Sequence, residues 1–188
     1  VEMMIGREYS HVFPPKPPTA KTGAPALEVA GLSWSHQLND ISFAARPGEI
    51  VGLGGLDGQG QRELLLALFG VLRGVTGDIA VNGSVRHVRG PRAAKASSSA
   101  MALIPEDRKT EGLMLPMSVR DNLSFAALSQ FSRGGIIDRE AEVRSIDAMV
   151  KLLAIKTDGI AVPAGSLSGG NQQKVVIAKW LMRKPRII

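Results

Sequence analysis

Apolar and polar positions repeat with two different periods along this chain, which separates a strand-rich first half from a helix-rich second half. Residues 27–32 and 41–45 alternate with the two-residue period of a β-strand. Asn82-Gly83 lies between the apolar run 79–81 and Val85 and has the composition of a tight hairpin turn. The first half is therefore predicted to contain a small antiparallel sheet.

Three short apolar runs predict buried strands in another part of the fold. They cover residues 50–53, 101–104 and 187–188. The first run leads into a glycine-rich turn, which is followed by a helical pattern from Arg62 to Phe69 that ends at Gly70. The order strand, glycine loop, helix indicates an α/β fold.

Helical patterns dominate the second half. Ser118 is predicted to cap a helix from Val119 to about Ser129, and Asp138 to start a second helix that continues through Leu153. The apolar residues of the second helix recur at helical spacing: Val143, Ile146, Met149, Val150 and Leu153. We expect this stretch to form a helical subdomain.

Composition narrows the function classes only slightly. The 188 residues are 44% hydrophobic, enough for one packed domain, and the absence of cysteine excludes disulfides and thiolate metal sites. With three scattered histidines, a metal enzyme is not expected, and no metal-binding residue is predicted. The net charge of +6 fits nucleic acid, anionic lipid or phosphate ligands alike. No apolar run approaches a membrane span or a signal-peptide core, so a soluble, cytoplasmic chain is predicted.

The two ends of the chain are interpreted as cuts from a longer protein. Residues 1–25 have little apolar periodicity and contain Pro14, Pro15, Pro17, Pro18 and Pro25, which indicates an extended linker. At the other end, residues 187–188 resemble the beginning of a buried strand.

The glycine loop has the spacing of a phosphate-binding loop but lacks two of its functional side chains. Gly55 and Gly60 stand at the G-x-x-x-x-G spacing, where backbone amides cradle phosphate, a Lys neutralises it and a Ser or Thr ligates Mg²⁺. Gln61 and Arg62 occupy the last two positions; one carries no charge and the other cannot ligate a cation. The candidate nucleotide contacts here are Gly55, Gly58, Gly60, Gln61, Arg62 and Glu63. A glycine turn that serves packing alone is the alternative.

A second motif is stronger evidence for nucleotide binding than the glycine loop. Residues 166–174 read Ser-Leu-Ser-Gly-Gly-Asn-Gln-Gln-Lys, in which Ser168 and two glycines place a hydroxyl and bare amides at a helix N-terminus. Such a turn is suited to hold the γ-phosphate of a nucleotide, although a simply capped amphipathic helix is the alternative. The motif resembles the LSGGQ signature of ABC ATPases, and it makes Ser168, Gly169, Gly170 and Gln172 candidate nucleotide contacts.

The resemblance to ABC ATPases covers residues 27–188, and it is strongest to the second nucleotide-binding half of sugar-import ATPases. It implies a RecA-like P-loop NTPase core, a small antiparallel β subdomain and an inserted α-helical subdomain that carries the signature. The corresponding division is a linker at 1–25, a β-rich core with the P-loop at 26–105, a helical subdomain at 106–170, and the signature helix with the start of the Walker B strand at 171–188. Glu106 stands at the glutamine-loop position, where an ordinary exposed acidic residue of a loop is the alternative. Trp34 or His36 stands at the place of an adenine-stacking aromatic residue, although a core role is the commoner one for such a Trp.

The resemblance also implies how the chain takes part in catalysis. ABC ATPases continue the last strand to an Asp, a Glu and later a His, so no catalytic residue is expected within this chain and the isolated chain should hydrolyse ATP negligibly. ATP and Mg²⁺ are the implied cofactors. The halves of these proteins pair head to tail, so the signature would complete a nucleotide site on an N-terminal half of the same protein or on a second copy, and the site with Gln61 and Arg62 would be weak or regulatory.

The implied partners are transmembrane permease subunits, contacted through residues 106–122, and indirectly an extracytoplasmic sugar-binding protein. The implied location is the inner face of the cell membrane. Two alternatives remain: a regulatory domain that binds nucleotide without turnover, and a non-transport ABC ATPase that acts on nucleic acid. The chain lacks a dense Lys/Arg stripe with interleaved aromatic residues, so no nucleic acid is expected.

Overall fold

A four-stranded antiparallel sheet forms the first part of the computed structural model, which describes residues 23–96 and 98–188. Its strands are β1 (Leu27–Trp34), β2 (Leu38–Ala45), β3 (Thr76–Val81) and β4 (Ser84–Val85), in the order β2-β1-β3-β4. The predicted linker falls almost wholly outside the described residues and stays a prediction.

The alternating pattern of β1 explains why the sheet has one buried face. Leu27, Val29 and Leu32 are buried, whereas the residues between them are more exposed. Asn82 and Gly83 adopt φ values of 49° and 72°, the two positive angles of a type I′ turn, and join β3 to β4. The predicted antiparallel sheet and its hairpin are confirmed.

Two short helices accompany the sheet. Helix α1 (Gln61–Leu68) follows the glycine loop and buries Leu64 and Ala67 in the same apolar cluster as β1 and β3, and helix α2 (Pro91–Ala94) adds Ala94 to that cluster. We call this cluster the sheet core; its buried members are Leu27, Val29, Leu32, Leu38, Leu64, Ala67, Phe69, Ile79, Val81, Ala94 and Met101.

The second part is helical, as predicted. A π-helical turn (Arg108–Gly112) precedes α3 (Val119–Ser124), a 3-10 turn (Phe125–Ala127), α4 (Leu128–Phe131), the two-residue strands β5 (Ser132–Arg133) and β6 (Ile136–Ile137), α5 (Arg139–Leu152), a second 3-10 turn (Ala164–Ser166) and α6 (Gly169–Leu181). A second apolar cluster, the helical core, joins these elements; its buried members are Leu113, Val119, Leu123, Ala127, Phe131, Ile146, Ile155, Val175, Val176, Ala178 and Met182.

The predicted helix starts are confirmed by their caps. The Ser118 hydroxyl accepts a hydrogen bond from the Asp121 amide at 3.0 Å, and the Asp138 carboxylate accepts one from the Ala141 amide at 2.9 Å. The predicted helix from Val119 to Ser129 is instead divided by the 3-10 turn at 125–127. In residues 23–96 and 98–188, none of the helices combines the length and apolarity that crossing a bilayer requires.

The predicted strand at 50–53 is wrong for the structure described. This segment joins no strand ladder, and Ile50 is 95% exposed. Of the predicted strand 101–104, only Met101 pairs, in a parallel bridge with Ile187, and Ala102 donates to the Ile187 carbonyl at 2.8 Å. An apolar strand is buried only when neighbouring strands pair with its backbone, and residues 50–53 have no such neighbour among the described residues.

A half-buried lysine, Lys179, connects α6 to the turn at 108–112. The Lys179 ammonium donates to the Gly112 carbonyl and lies 5.7 Å from the centre of the Trp180 ring. Burial lowers the pKa of Lys179 below its usual 10.5, and the charge of Lys95 lowers it further.

Replacing Lys179 with Met should change how stability depends on pH. The unfolded chain binds this proton more tightly than the folded chain does, so the wild-type free energy of unfolding should rise as pH increases between the folded pKa and 10.5. Thermal unfolding of the full-length protein at increasing alkaline pH measures this, and Lys179→Met should lose that rise. Lys151→Met removes an exposed lysine and should keep it; equal slopes for wild type and Lys179→Met would contradict the assignment.

Candidate functional site

The glycine loop takes a conformation that other residues resist. Gly60 precedes α1 with φ at +98°, and a Cβ at this position would lie 2.8 Å from the Gln37 carbonyl oxygen. No side chain caps α1, and the loop from Gly55 to Gln59 is exposed. Gly55 and Gly58 therefore lie in an exposed loop just before a helix start, whereas Gly60 itself is buried.

Gln61 folds back over this loop. Its side-chain amide donates to the Leu56 carbonyl at 3.1 Å, and it would lie 2.1 Å from a Cβ placed on Gly55. The Gln59 side chain accepts from the Leu56 amide at 3.2 Å. Side-chain amides thus occupy the space beside the loop, where a P-loop would present its lysine ammonium to phosphate.

Arg62 points out of the loop toward two acidic residues. Its guanidinium lies 2.7 Å from the Glu111 carboxylate and 3.9 Å from that of Glu106, with half of the Arg62 side chain exposed. Glu63, in the first turn of α1, lines the same pocket of ≈ 590 Å³. The structure therefore brings the predicted residues Arg62, Glu63 and Glu106 together. The group between the carboxylates is the Arg62 guanidinium, which cannot ligate a metal ion.

The signature turn is an uncapped helix start. Ser168 holds the N-cap position of α6, yet its hydroxyl accepts no hydrogen bond from the helix backbone. The Asn171 side chain donates to the Ser168 oxygen at 3.0 Å, which leaves the hydroxyl proton free to be donated. Ser168, Gly169 and Gly170 are all exposed, so their amides and the hydroxyl face solvent.

Gln172 lies behind this turn and does not face outward. Its side chain is 6% exposed and donates to the Leu167 carbonyl at 3.1 Å and to the Ala164 carbonyl at 3.4 Å. The predicted direct contact of Gln172 with nucleotide is therefore not supported by this geometry. Its hydrogen bonds instead hold the chain that leads into Ser168.

Arg108 is a candidate that the sequence interpretation missed. Its Nε atom donates to the Gln172 side chain at 3.4 Å, and its Nη2 atom lies 2.9 Å from the Cβ position of Gly169. None of the ion pairs among the described residues includes Arg108. A cation beside the positive end of a helix is unfavourable unless an anion neutralises both. The signal in the sequence was a lone arginine two residues after Glu106.

The segment before the π-helical turn is held by Asp107. Its carboxylate accepts from the Lys109 amide and the Thr110 hydroxyl, both at 2.8 Å. The amide of Lys109 first, and then the hydroxyl of Thr110, lower the pKa of Asp107, which favours its ionised form.

The glycine loop and the signature turn open into different clefts. Ser168 and Asn171 line a cleft with Lys156 and Thr157, none of which lines the pocket at the glycine loop. Within this chain, the two motifs therefore do not face a common ligand.

The two adenine-stacking candidates also differ. The Trp34 indole donates to the Arg73 carbonyl at 2.8 Å and packs against the sheet core, which favours the core role. His36 is exposed, with its Nδ1 atom 3.2 Å from the Ser35 hydroxyl.

Comparisons with known proteins agree with these observations. The family model described as ABC transporter matches residues 38–188. The ribose import ATP-binding protein RbsA 1 of Mesorhizobium japonicum is 67% identical over the whole chain, and RbsA of Bacillus subtilis is 42% identical; the chain spans 37% of the length of each. The solved structure of cbiO1 from Clostridium perfringens, part of an ABC transporter complex, has a TM-score of 0.67 at 20% identity and covers 86% of this chain and 62% of its own.

The chain belongs to the ABC transporter family, in its ATP-binding proteins. The predicted fold class, an α/β P-loop NTPase with an antiparallel β part and a helical part, is confirmed. Members of the family bind ATP, typically with Mg²⁺, and generally hydrolyse it.

A methyl group on Gly169 should displace Arg108. Gly169→Ala places a Cβ against the guanidinium, whereas Gly170→Ala meets nothing within 4 Å and is the matched control. Modification of Arg108 by phenylglyoxal, followed by mass spectrometry on the full-length protein, should be faster in Gly169→Ala and unchanged in Gly170→Ala. The same rate in all three proteins would show that Arg108 does not rest on Gly169.

Proposed function

We propose that this chain is an ATP-binding module of a sugar ABC transporter and couples ATP binding and hydrolysis to solute import. Its signature turn completes a nucleotide site whose P-loop lies on a partner half, either in the same protein or in a second copy. The observation that carries the proposal is the exposed, uncapped start of α6, where the Arg108 guanidinium lies against Gly169, the residue that follows Ser168.

The chemistry of this turn suits a phosphate group. The free amides of the first helical turn donate toward solvent, Ser168 adds a hydroxyl donor, and Arg108 supplies a charge-assisted donor. A helix start alone favours an anion by about 0.3–1 kcal/mol, and an arginine that makes charged hydrogen bonds adds to this. Gln172 positions Arg108 and the backbone before Ser168 at the same time.

The partner half is needed because the chain's two motifs do not meet. The glycine loop and Ser168 lie in different clefts, so a nucleotide held by this signature must be held by another loop. We propose that the partner supplies the P-loop, the groups that hold Mg²⁺ and the hydrolytic residues, and that the fragment alone is inactive. The division into 26–105, 106–170 and 171–188 belongs to the same proposal.

The transported solute is proposed from the relatives. Those named above carry the name ribose import ATP-binding protein, which supports a monosaccharide as the solute class. The proposed partners are transmembrane permease subunits, docked near residues 106–122, and indirectly an extracytoplasmic sugar-binding protein. The proposed location is the cytoplasmic face of the cell membrane, and nucleic acid is not a proposed partner.

A regulatory domain that does not hydrolyse nucleotide is the second candidate. The observation that favours it is the Arg62 guanidinium, which lies between two carboxylates where a P-loop has its Mg²⁺ ligand. This candidate concerns the chain's own loop, whereas the signature proposal concerns the partner's site.

Turnover should depend on the signature turn and not on the glycine loop. In the full-length protein assembled with its permease, Ser168→Ala and Arg108→Ala should each lower ATP hydrolysis by about 10²-fold, the usual cost of removing a donor at a developing charge. Gln61→Ala should cost little. Arg108→Lys should recover part of the rate, because it keeps the charge but not the fork of donors.

Arg144→Ala is the matched control for Arg108→Ala. It removes an exposed arginine that only pairs with Glu140 on the surface of α5. Equal losses for Ser168→Ala and Gln61→Ala would overturn the proposal that the signature is the working site. An unchanged rate in Arg108→Ala would remove Arg108 from it.

A further inference from the structure

The pocket at the glycine loop is strongly acidic, although the chain as a whole is basic. Among the residues that line it there is a single cation, Arg62, and four carboxylates: Asp57, Glu63, Glu106 and Glu111. A triphosphate is a polyanion, and the carboxylates repel it because they carry the same sign of charge. The lining opposes the ligand that the loop's glycine spacing would otherwise suit.

Arg62 takes the place in this pocket that a metal ion takes in a P-loop. The residue at its position normally presents a hydroxyl to Mg²⁺. Here the guanidinium extends from α1 to the Glu111 carboxylate at 2.7 Å, with the Glu106 carboxylate at 3.9 Å. Oxygen ligands of this kind are the ones that Mg²⁺ prefers, and a guanidinium already neutralises them.

We propose that Arg62 is a built-in cation that replaces Mg²⁺ in this pocket, so that the glycine loop excludes the Mg²⁺-bound nucleotide. This inference depends on the proposed function in one respect, namely that the glycine loop corresponds to the P-loop of ABC ATPases. It concerns a different pocket from the one that contains Ser168.

Gln61 also hinders the binding of phosphate to the glycine loop. Its amide is bonded to the Leu56 carbonyl and lies against Gly55, so the loop interior is filled by the chain's own side chain. The side chain brings no charge that could offset the four carboxylates. Phosphate would therefore have to displace an amide on one side and enter an acidic pocket on the other.

The Arg62–Glu111 ion pair is exposed. Exposed ion pairs contribute little to stability and are screened by salt. The position of Arg62 matters more than the energy of the pair, because its guanidinium takes the place of any other cation beside the Glu106 and Glu111 carboxylates. Removing it should create a requirement for another cation, and this can be measured without nucleotide.

Mg²⁺ alone is the first probe. In the full-length protein, the melting temperature of Arg62→Ser should rise with Mg²⁺ and fall on chelation, because the new hydroxyl joins the Glu106 and Glu111 carboxylates as a ligand set. Wild type and Arg62→Lys keep a side-chain cation and should show no such response. The exchanged pair Arg62→Glu with Glu111→Arg should also be insensitive.

Nucleotide binding is the second probe. Titration with a fluorescent ATP analogue and Mg²⁺ should show a second bound nucleotide per chain in Gln61→Lys with Arg62→Ser, and not in wild type. A second nucleotide bound by wild type would overturn the proposal, and so would an Arg62→Ser protein that ignores Mg²⁺. Ser168→Ala, which tests the proposed function, should leave the Mg²⁺ response of Arg62→Ser unchanged, so the two proposals fail separately.

Discussion

The contact between the two apolar clusters at Trp180 is the interaction on which the rest of the structure depends. The Phe69 ring, from the sheet core, meets the Trp180 ring edge to face with 5.7 Å between centroids. Trp180 packs against both clusters, and such aromatic pairs contribute about 0.5–1.5 kcal/mol beyond the area they bury. Because Trp180 lies near the end of α6, this contact fixes the direction of the helix whose other end carries the signature turn.

Polar contacts at the end of α6 also join the two parts of the chain. Lys179, next to Trp180, holds the Gly112 carbonyl, and Arg183 donates to the carbonyls of Lys95 and Ala126, one in each part of the chain. The turn at 108–112 is attached to α6 through the Lys179–Gly112 and Arg108–Gln172 hydrogen bonds, and to α1 through Arg62. This short segment is therefore one connection between the glycine loop and the signature helix, and the Phe69–Trp180 contact is another.

Elements that depend only on neighbouring residues could be predicted from the sequence. The alternation in β1, the Asn82-Gly83 turn and the caps at Ser118 and Asp138 depend on neighbouring residues, and the structure has them where predicted. The strand at 50–53 was predicted wrongly because apolar composition shows that a strand can be buried, not that partners are present. The inward direction of Gln172 and the approach of Arg108 to Gly169 depend on contacts 5 to 64 residues apart, so the motif alone could not reveal them.

The Arg62–Glu111 pair joins residues 49 positions apart, so the chemistry of the loop is shared between two segments of the chain. A substitution at either position therefore changes the surroundings of a side chain in the other segment. A hydroxyl at position 62 would leave the Glu106 and Glu111 carboxylates to another cation, and removing Glu111 would leave the guanidinium without its close partner. The charge at position 62 and the charge at position 111 are thus coupled, although they belong to different segments of the chain.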